Sequence, residues 1–437
     1  MRSRPFLVCL LCLLPALLTA QEGPGDKPDV VVLKAARLFD GKGDAAVPNG
    51  VVIVEGGTIR AAGSGLAVPA GARVIDLGDA TLLPGLIDAH THITGESQDN
   101  WLQGTMDNLR RTVPEVAIRA TGYARKTLMA GFTTIRDVGS GEAIDVGLRN
   151  AIRDGIVPGP RIMAANNALG ARGGHCDESG FPYQLFPEKG PETGIASGAD
   201  QFRDAVRFQV KYGADVIKIC ATGGVLSLAD EVDTPQLTQE EMNAIVDEAH
   251  RLRKKVAAHA HGAEGAKTAV RAGVDSIEHG SFLDDEALRM MKQRGTYLVP
   301  TLLAGEYVAG RAAIRHYPPE IAAKAKAAVA VRSDMFRKAV RMGVKIAFGT
   351  DSSVSPHGLN AQEFALMVDL GMPPAAALRS ATSAAADLLG LAKTIGTLEP
   401  GKAADVIAVP GNPLTDIKAM EKVRFVMKGG QVFKNEP

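Results

Sequence analysis

The stretch Leu82-Leu83-Pro84-Gly85-Leu86-Ile87-Asp88-Ala89-His90-Thr91-His92 combines a turn, a short apolar run and two histidines one residue apart. Its apolar run directly follows the turn signal Pro84-Gly85, and this order predicts a short buried strand. Because alternate residues of a strand share a face, Asp88, His90 and His92 point the same way. The two imidazoles, about 7 Å apart along the strand, can converge on one metal ion. On its own, a His-x-His pair more commonly marks exposed histidines in a loop.

The composition is that of an ordinary globular protein. The chain has 437 residues, of which 46% are hydrophobic, with 49 basic and 49 acidic side chains. Balanced charge argues against nucleic acid or an anionic membrane surface as the main partner. The length suffices for one large domain and one smaller domain. A content of 48 glycines favours many tight turns and glycine-rich loops, as in α/β barrels, over a disordered chain.

The N-terminus has the outline of an export signal. Arg2 and Arg4 precede an apolar run at residues 6–18, which ends near the small residue Ala20. We predict a signal peptide at residues 1–20, and therefore an exported protein that is periplasmic or secreted. The apolar run is too short for a stable membrane span. An uncleaved interfacial anchor is the alternative interpretation.

The cysteine content is low for an exported protein. Cys9 and Cys12 would leave with the signal peptide, so only Cys176 and Cys220 remain in the mature chain. Two cysteines do not make a disulfide scaffold. The sequence leaves two alternatives open, a single bridge or two buried thiols.

Both ends of the chain show short strand patterns separated by glycine-rich turns. These runs lie at residues 30–33, 51–54, 74–77, 405–409, 423–427 and 431–433, with a tight hairpin turn at residues 428–430. Similar patterns at both termini predict one small β-sandwich domain built from residues 21–82 and 392–437. Residues 83–391 would then form a single large insert.

The insert alternates predicted strands and helices. The candidate strands are residues 86–89, 133–136, 161–164, 216–219, 256–259, 276–279, 297–300 and 345–348. The clearest helix spans residues 239–255 and begins with a capping box formed by Thr238 and Glu241. Eight βα units in a chain of this size predict an α/β fold of the (β/α)8 TIM-barrel type.

In such a barrel the chemistry lies at the carboxyl ends of the strands. The residues at these ends are His90, His92, Lys218, His259, His261, His279 and Asp351. Five of the nine histidines of the chain are in this set, whereas chance placement would scatter them. Neutral imidazoles and carboxylates bind zinc-like ions, so the clustering strengthens the metal interpretation.

Lys218 is unusual because it interrupts an otherwise apolar strand. A buried cationic lysine is costly, so its pKa falls and the neutral amine can react as a nucleophile. Reaction with carbon dioxide would give a carbamate, which can bridge two metal ions about 3.5–4 Å apart. The equally weighted alternative is a lysine paired with a carboxylate such as Asp215 or Asp233.

These residues resemble the motifs of the amidohydrolase superfamily. The opening motif is residues 84–92, and the segments around Lys218, His259, His279 and Asp351 fill the remaining ligand positions in order. The resemblance covers everything after the signal peptide. It is strongest to the imidazolonepropionase-related peptidase branch, which contains Xaa-Pro and Xaa-Arg/Lys dipeptidases and ochratoxinase-like amidases. Imidazolonepropionases themselves usually bind one metal and lack the bridging lysine, so Lys218 argues against them.

The resemblance implies a binuclear metal-dependent hydrolase of amide bonds. His90, His92 and Asp351 would hold one divalent ion, His259 and His279 the second, and carbamylated Lys218 would bridge the two. Zinc is the expected metal. Asp351 would also be the catalytic proton acceptor. The branch is often oligomeric, so we expect a homo-oligomer.

Substrate recognition is expected from the loops that follow the strands. His175, His261 and Arg172 are candidates for binding a substrate carboxylate, and the amides of residues 222–224 could form an anion-binding turn. At position 261, where many relatives carry tyrosine, this chain carries histidine. We therefore expect cleavage next to a C-terminal amino acid, in dipeptides or N-acyl amino acids. Alternatives are a lactone or cyclic amide as substrate, an inactive metal-containing binding protein, and an Arg172 that faces solvent.

Overall fold

The structure is a computed structural model that describes residues 30–98, 100–311 and 316–436. The predicted signal peptide, together with Cys9 and Cys12, lies outside the described residues. Within the described part of the chain, no helix combines the length and the apolar character that a membrane span needs.

The strands form an eight-stranded sheet and three smaller parallel sheets within the described residues. The strands are β1 (Val30–Leu38), β2 (Val47–Glu55), β3 (Thr58–Ser64), β4 (Arg73–Asp76), β5 (Ala80–Pro84), β6 (Leu86–Thr91), β7 (Phe132–Asp137), β8 (Arg161–Ala164), β9 (Gly170–Ala171), β10 (Ile195–Ala196), β11 (Val216–Cys220), β12 (Lys255–Gly262), β13 (Ser276–Phe282), β14 (Tyr297–Val299), β15 (Val406–Pro410), β16 (Phe425–Lys428) and β17 (Gln431–Asn435). The chain is therefore an α/β protein with parallel sheets in its central part.

Helices occur almost entirely between β6 and β15. The α-helices are α1 (Trp101–Arg110), α2 (Val113–Met129), α3 (Ile144–Arg153), α4 (Ala199–Lys211), α5 (Gln239–Arg251), α6 (Ala263–Ala272), α7 (Asp285–Arg294), α8 (Leu302–Arg311), α9 (Pro319–Met342), α10 (Gln362–Asp369), α11 (Pro374–Ser380) and α12 (Ser383–Leu388). Most of them follow a strand, and their apolar faces pack on the central core. This order matches the alternation expected for βα units.

The eight-stranded sheet joins the two ends of the chain. Its order is β17-β16-β15-β5-β1-β2-β3, with β4 paired to β1. The central link is the antiparallel pair of β5 and β15, in which Pro84 lies opposite Val406. Both faces carry apolar side chains, since Val31 and Leu33 pack in one cluster and Val32 in another. Strands from both termini thus share one sheet, as the sequence predicts.

The central strands form two parallel sheets, β6-β7-β8 and β11-β12-β13-β14. Further backbone hydrogen bonds connect the edges of these two sheets on both sides. On one side Leu169 N–H donates to Lys218 O over 2.8 Å, and Asp215 N–H donates to Ala164 O over 2.7 Å. On the other side Leu298 N–H donates to Lys345 O over 2.8 Å, and Ala89 N–H donates to Phe348 O over 2.8 Å.

Two predicted elements differ from the structure. The eighth candidate strand, residues 345–348, contributes only an isolated bridge between Leu298 and Ile346. Phe348 N–H donates to Ser380 O, so regular pairing stops there. The helix predicted for residues 239–255 ends at Arg251, because Lys255 already pairs with Val216 in the parallel sheet. Its predicted capping box, formed by Thr238 and Glu241, is present.

Candidate metal centre and substrate cavity

Six predicted ligands line one cavity of about 580 Å³. They lie at or just after the carboxyl ends of strands β6, β11, β12 and β13, and in the segment that follows residue 348. The six are His90, His92, Lys218, His259, His279 and Asp351. The structure therefore brings together side chains that are up to 261 residues apart in the sequence, from His90 to Asp351.

The distances within this cluster suit shared ligation. Asp351 Oδ1 lies 3.5 Å from His90 Nε2 and 3.3 Å from His92 Nε2. The rings of His259 and His279 have centroids 4.7 Å apart, and those of His90 and His279 are 4.9 Å apart. Two sets of three residues can each place three ligand atoms within 4.8 Å of one another. One set is His259, His261 and His279, and the other is His90, His279 and Asp351. His261, which the sequence predicts only as a substrate contact, thus lies among the candidate metal ligands.

Hydrogen bonds at the far ring nitrogens fix the orientation of the imidazoles. His90 Nδ1 is 2.7 Å from Glu278 Oε2, and His92 Nδ1 is 2.9 Å from Gly139 O. Because carbonyl and carboxylate oxygens accept, these Nδ1 atoms carry the proton and each Nε2 keeps a lone pair. In His259 the donor is Nε2, which is 3.1 Å from Gly223 O. Its Nδ1 is therefore the atom available as a ligand.

Burial keeps the histidines neutral. It lowers the pKa of His90, His259 and His279 well below the usual value. Burial likewise lowers the pKa of His92 to about 4 and that of His261 to about 3. Metal ligation requires a neutral imidazole, so these rings need not lose a proton at neutral pH. Neutral imidazoles, a carboxylate and a buried lysine form a donor set that fits zinc-like divalent ions.

Lys218 is buried on β11 without an acidic partner. Among residues 30–98, 100–311 and 316–436, no carboxylate lies within 4.0 Å of its ammonium group. Asp215, one of the two partners considered above, pairs with Arg149 over 2.5 Å instead. Burial lowers the pKa of Lys218 to about 8, although Glu278 and Asp351 oppose that shift. Roughly a tenth of this amine is therefore neutral at pH 7, far more than for an exposed lysine.

A buried acid-base network beneath the cavity is absent from the sequence interpretation. Glu278 is fully buried, and its Oε1 accepts from Arg136 Nη2 over 2.8 Å. Arg136 is also the largest fully buried side chain in the described residues. Asp88 accepts from Asn360 Nδ2 over 2.7 Å and from Thr350 Oγ1 over 2.6 Å. The sequence feature that could have pointed to Glu278 is its position directly before the candidate ligand His279.

The two histidines predicted to bind substrate both line the cavity. The ring of His175 stacks on that of His259 with centroids 4.2 Å apart, and its Nδ1 is 2.9 Å from Ser227 Oγ. His261 stacks on His279, and its Nδ1 is 2.9 Å from Ser281 Oγ. Both imidazoles are thus held in place by a hydroxyl group.

Other predicted recognition elements lie elsewhere. Arg172 is not among the cavity-lining residues, and its side chain is 66% exposed in an ion pair with Glu188. The predicted anion-binding turn at residues 222–224 is not free to bind, because Gly223 N–H donates to Thr234 O over 3.0 Å. Gly224 packs against the ring of His175, where a Cβ atom would approach to 2.1 Å. Glycine at this position therefore makes room for the imidazole.

Cys176 and Cys220 form a disulfide bond across a sequence separation of 44. The structure thereby resolves the alternatives of one bridge or two thiols. Cys176 directly follows His175, and Cys220 lies two residues after Lys218 on β11. The disulfide bond thus connects the loop that carries His175, a candidate substrate-binding residue, to the strand that carries Lys218.

An apolar wall covers the cavity opposite the histidines. It includes Val225, Leu226, Val308 and Val354, which pack in one cluster. Lys324 of α9 fastens the loop below this wall, since its Nζ donates to Ser227 O over 2.6 Å and lies 3.2 Å from Asp230 Oδ1. The cavity thus has a polar floor and an apolar side.

Comparison with known proteins agrees with this geometry. The profile of the Amidohydrolase family matches residues 81–433. Ochratoxinase of Aspergillus niger is 32% identical over 434 aligned residues, which cover 94% of this chain and 88% of that relative. A crystal structure of a Xaa-Pro dipeptidase with bound methionine in the active site superposes with a TM-score of 0.90 at 43% identity, covering 93% of this chain and all of that one.

A third relative lies further away. Imidazolonepropionase of Cutibacterium acnes is 26% identical over 402 residues, which cover 85% of this chain and 89% of that relative. The relatives thus come from the branch whose motifs the sequence resembles. The histidine cluster, the family profile and these relatives together establish that the chain belongs to the amidohydrolase family and is a hydrolase of amide bonds.

Proposed function

We propose that the chain is a binuclear metal-dependent amidohydrolase that cleaves the amide bond next to a C-terminal amino acid. The substrates would be dipeptides or N-acyl amino acids. The observation that carries this proposal is the convergence of six imidazoles, Asp351 and the buried Lys218 on one cavity. The similarity to a Xaa-Pro dipeptidase and to an ochratoxinase supports the choice of substrate class.

The proposed ligands divide into two groups. His90, His92 and Asp351 would hold one ion, and His259 and His279 the other. Zinc is the metal we propose, since neutral imidazoles and carboxylates are its usual ligands. Bound ions would acidify a water molecule and polarise the amide carbonyl.

Lys218 would bridge the two groups as a carbamate. The support is its burial, the lack of an ion-pair partner among the described residues and the lowered pKa of its amine. The neutral amine would form a bond to the carbon of carbon dioxide and release a proton. The resulting anion would also balance the charge of cations held in a buried site.

Asp351 is the proposed proton acceptor. Its Oδ1 lies within 3.5 Å of both histidines of the β6 motif, so the carboxylate faces the centre of the cluster. It would take a proton from the attacking water and transfer it to the departing amine. The positive φ of 58° at Asp351 holds the side chain in this direction.

His175 and His261 are the proposed contacts of the substrate carboxylate. Their neutral imidazoles can each donate an N–H hydrogen bond to a carboxylate, whose own charge strengthens the bond. We do not assign Arg172 this role, because it lies in an exposed ion pair. The apolar wall around Val308 and Val354 suits an apolar substrate group.

We further propose that the central strands close into a (β/α)8 barrel at residues 83–391. The support is the run of backbone hydrogen bonds that joins the two parallel sheets on both sides. Residues 21–82 and 392–437 would form the small β-sandwich domain. Export to the periplasm or exterior, after removal of residues 1–20, and a homo-oligomeric state complete the proposal.

The function is tested by reconstituting the purified protein with zinc and bicarbonate and measuring amino acid release. Dipeptides and N-acetyl amino acids should be hydrolysed, and chelation should abolish the rate. A fully metal-loaded protein that hydrolyses neither class would contradict the proposal. Hydrolysis of a lactone at a higher rate than of any amide would identify the other carbonyl chemistry instead.

A further inference from the structure

A second cavity lies away from the candidate metal centre. Its volume is about 650 Å³, and it shares no lining residue with the first cavity. Arg161 at the start of β8 and Asp215 just before β11 contribute to its wall, so it lies at the amino ends of the strands. The hairpin of β16 and β17 closes its other side through Lys428 and Phe433.

The charged residues that line this cavity are mostly basic. It contains Arg149, Arg153, Arg161 and Lys428, but Asp215 is the sole carboxylate among its described lining residues. Each arginine has an acidic partner. Arg149 pairs with Asp215 over 2.5 Å, Arg153 with Asp154 over 2.9 Å, and Arg161 with Asp405 over 2.8 Å. Their charges are therefore largely balanced.

Lys428 is the exception. Its Nζ donates to Gly159 O over 2.6 Å, and no carboxylate of the described residues lies within 4.0 Å of it. Asp405, whose charge acts on Lys428, is already used, because Oδ1 accepts from Gly429 N–H over 2.8 Å and Oδ2 from Arg161. Burial, followed by the charge of Arg161, lowers the pKa of Lys428 to about 8. This half-buried ammonium group thus has no carboxylate in direct contact among the described residues.

The remaining wall is apolar. It is formed by Ile152, Val157, Pro158, Ile162, Met163 and Phe433. The Lys428 ammonium lies 5.6 Å from the centre of the Phe433 ring, so the charge and the apolar surface are adjacent. An occupant would need a single negative charge at one end and an apolar body at the other.

We propose that this second cavity binds a small organic monocarboxylate, with its carboxylate on Lys428 and its apolar body on the wall beside Phe433. A monoanion matches the one cation that lacks an acidic partner. An inorganic dianion such as phosphate would leave a second charge uncompensated and the apolar wall uncovered. The site is separate from the candidate metal centre and does not depend on the proposed function.

The first test measures hexanoate binding to the metal-loaded protein by calorimetry. Hexanoate should bind, whereas hexanamide and inorganic phosphate should bind at least tenfold more weakly. Lys428→Gln should weaken hexanoate at least tenfold, and Lys428→Arg should retain most of the affinity. The exposed Lys422 supplies the matched control, Lys422→Gln, which should bind as the parent does. Equal affinity of Lys428→Gln and the parent would overturn the proposal.

A second measurement needs no variant and guards against a misfolded Lys428→Gln. A lysine with a lowered pKa reacts readily with an acylating reagent, and the labelled residue is identified by mass spectrometry. Hexanoate should slow acylation of Lys428 several-fold and leave Lys422 unchanged. Unaltered labelling of Lys428 at saturating hexanoate would also overturn the proposal.

Discussion

The Nδ1 atom of His90 lies 2.7 Å from Oε2 of Glu278, and both side chains are fully buried. The other carboxylate oxygen of Glu278 accepts from Arg136 over 2.8 Å. A carboxylate can only accept, so this contact places the proton of His90 on Nδ1. The lone pair on Nε2 is then directed toward Asp351. One buried acid thereby sets the tautomer of a candidate metal ligand.

Glu278→Gln should weaken both the fold and metal binding. The change leaves Arg136 without its buried counter-charge, which costs about 3–5 kcal/mol in the free energy of unfolding. Loss of the carboxylate behind His90 should lower zinc affinity about 10–100-fold. Denaturant unfolding and competitive metal titration measure the two effects. Glu115→Gln, which alters an exposed ion pair with Arg119, is the control and should change neither quantity.

Lys218→Ala should remove the proposed bridge. Elemental analysis of the parent protein should approach two ions per chain, and the variant should retain fewer and lose most of its activity. A short carboxylate added to the solution should restore part of the rate by taking the place of the carbamate. Metal content and rate that stay at the parent level would show that Lys218 has a structural role.

Asp351→Asn should keep the shape of the side chain and remove the proton acceptor. Turnover should fall by about 10²–10⁴-fold. Metal content must be measured on the same sample, because Asp351 is also a proposed ligand. Asp369→Asn, at an exposed helix end, is the control and should turn over normally. Near-normal turnover of Asp351→Asn with metal bound would assign the base to another group.

Substrates with a free terminal carboxylate should be preferred to their amidated counterparts. Loss of a charge-assisted contact costs about 1.5–3 kcal/mol, or roughly 10–100-fold in kcat/KM. His261→Asn and His175→Asn should reduce this preference more than they reduce hydrolysis of the amidated substrate. Equal kcat/KM values on the paired substrates would argue against the exopeptidase specificity.

Removing the disulfide should loosen the loop that carries His175. Cys176→Ala combined with Cys220→Ala opens a bridge between residues 44 apart, which should cost about 2–4 kcal/mol in the free energy of unfolding. We expect KM to rise more than kcat falls, because His175 is proposed to bind substrate. The parent protein after reduction should behave like the double variant. A difference between the two would show that the alanine side chains, and not only the loss of the disulfide bond, cause the effect.

The sequence predicts which candidate ligands meet at the first cavity, because each lies in or just after a recognisable strand. The apolar run around Lys218 and the His90-x-His92 motif are local patterns, and parallel strands bring their carboxyl ends to one edge. Arg172 was a weaker inference, since a loop residue has no such constraint on its direction. The structure places it in an exposed ion pair with Glu188.

Hydrogen-bond partners that are distant in the sequence cannot be predicted from local sequence patterns. Arg136 lies in a strand of otherwise ordinary composition, and only the fold brings it to Glu278. The segment at residues 345–348 is predicted as a strand because it is mostly apolar, but Phe348 N–H donates to Ser380 O and the segment forms only an isolated bridge. Hydrogen-bond partners that are distant in sequence decide both cases.

The pairing of β5 with β15 has a consequence for the time course of folding. Gly85 N–H, at the junction of β5 and β6, donates to Asp405 O over 2.9 Å, so the base of the His90 strand is anchored by residues near the C-terminus. Such a contact has a very large sequence separation, and contacts of this kind form slowly. While the chain is still emerging from the ribosome, β5 is made before β15. The edge of β5 that later pairs with β15 would then be exposed to other chains. Maturation of the proposed metal centre should therefore be a late, post-translational event.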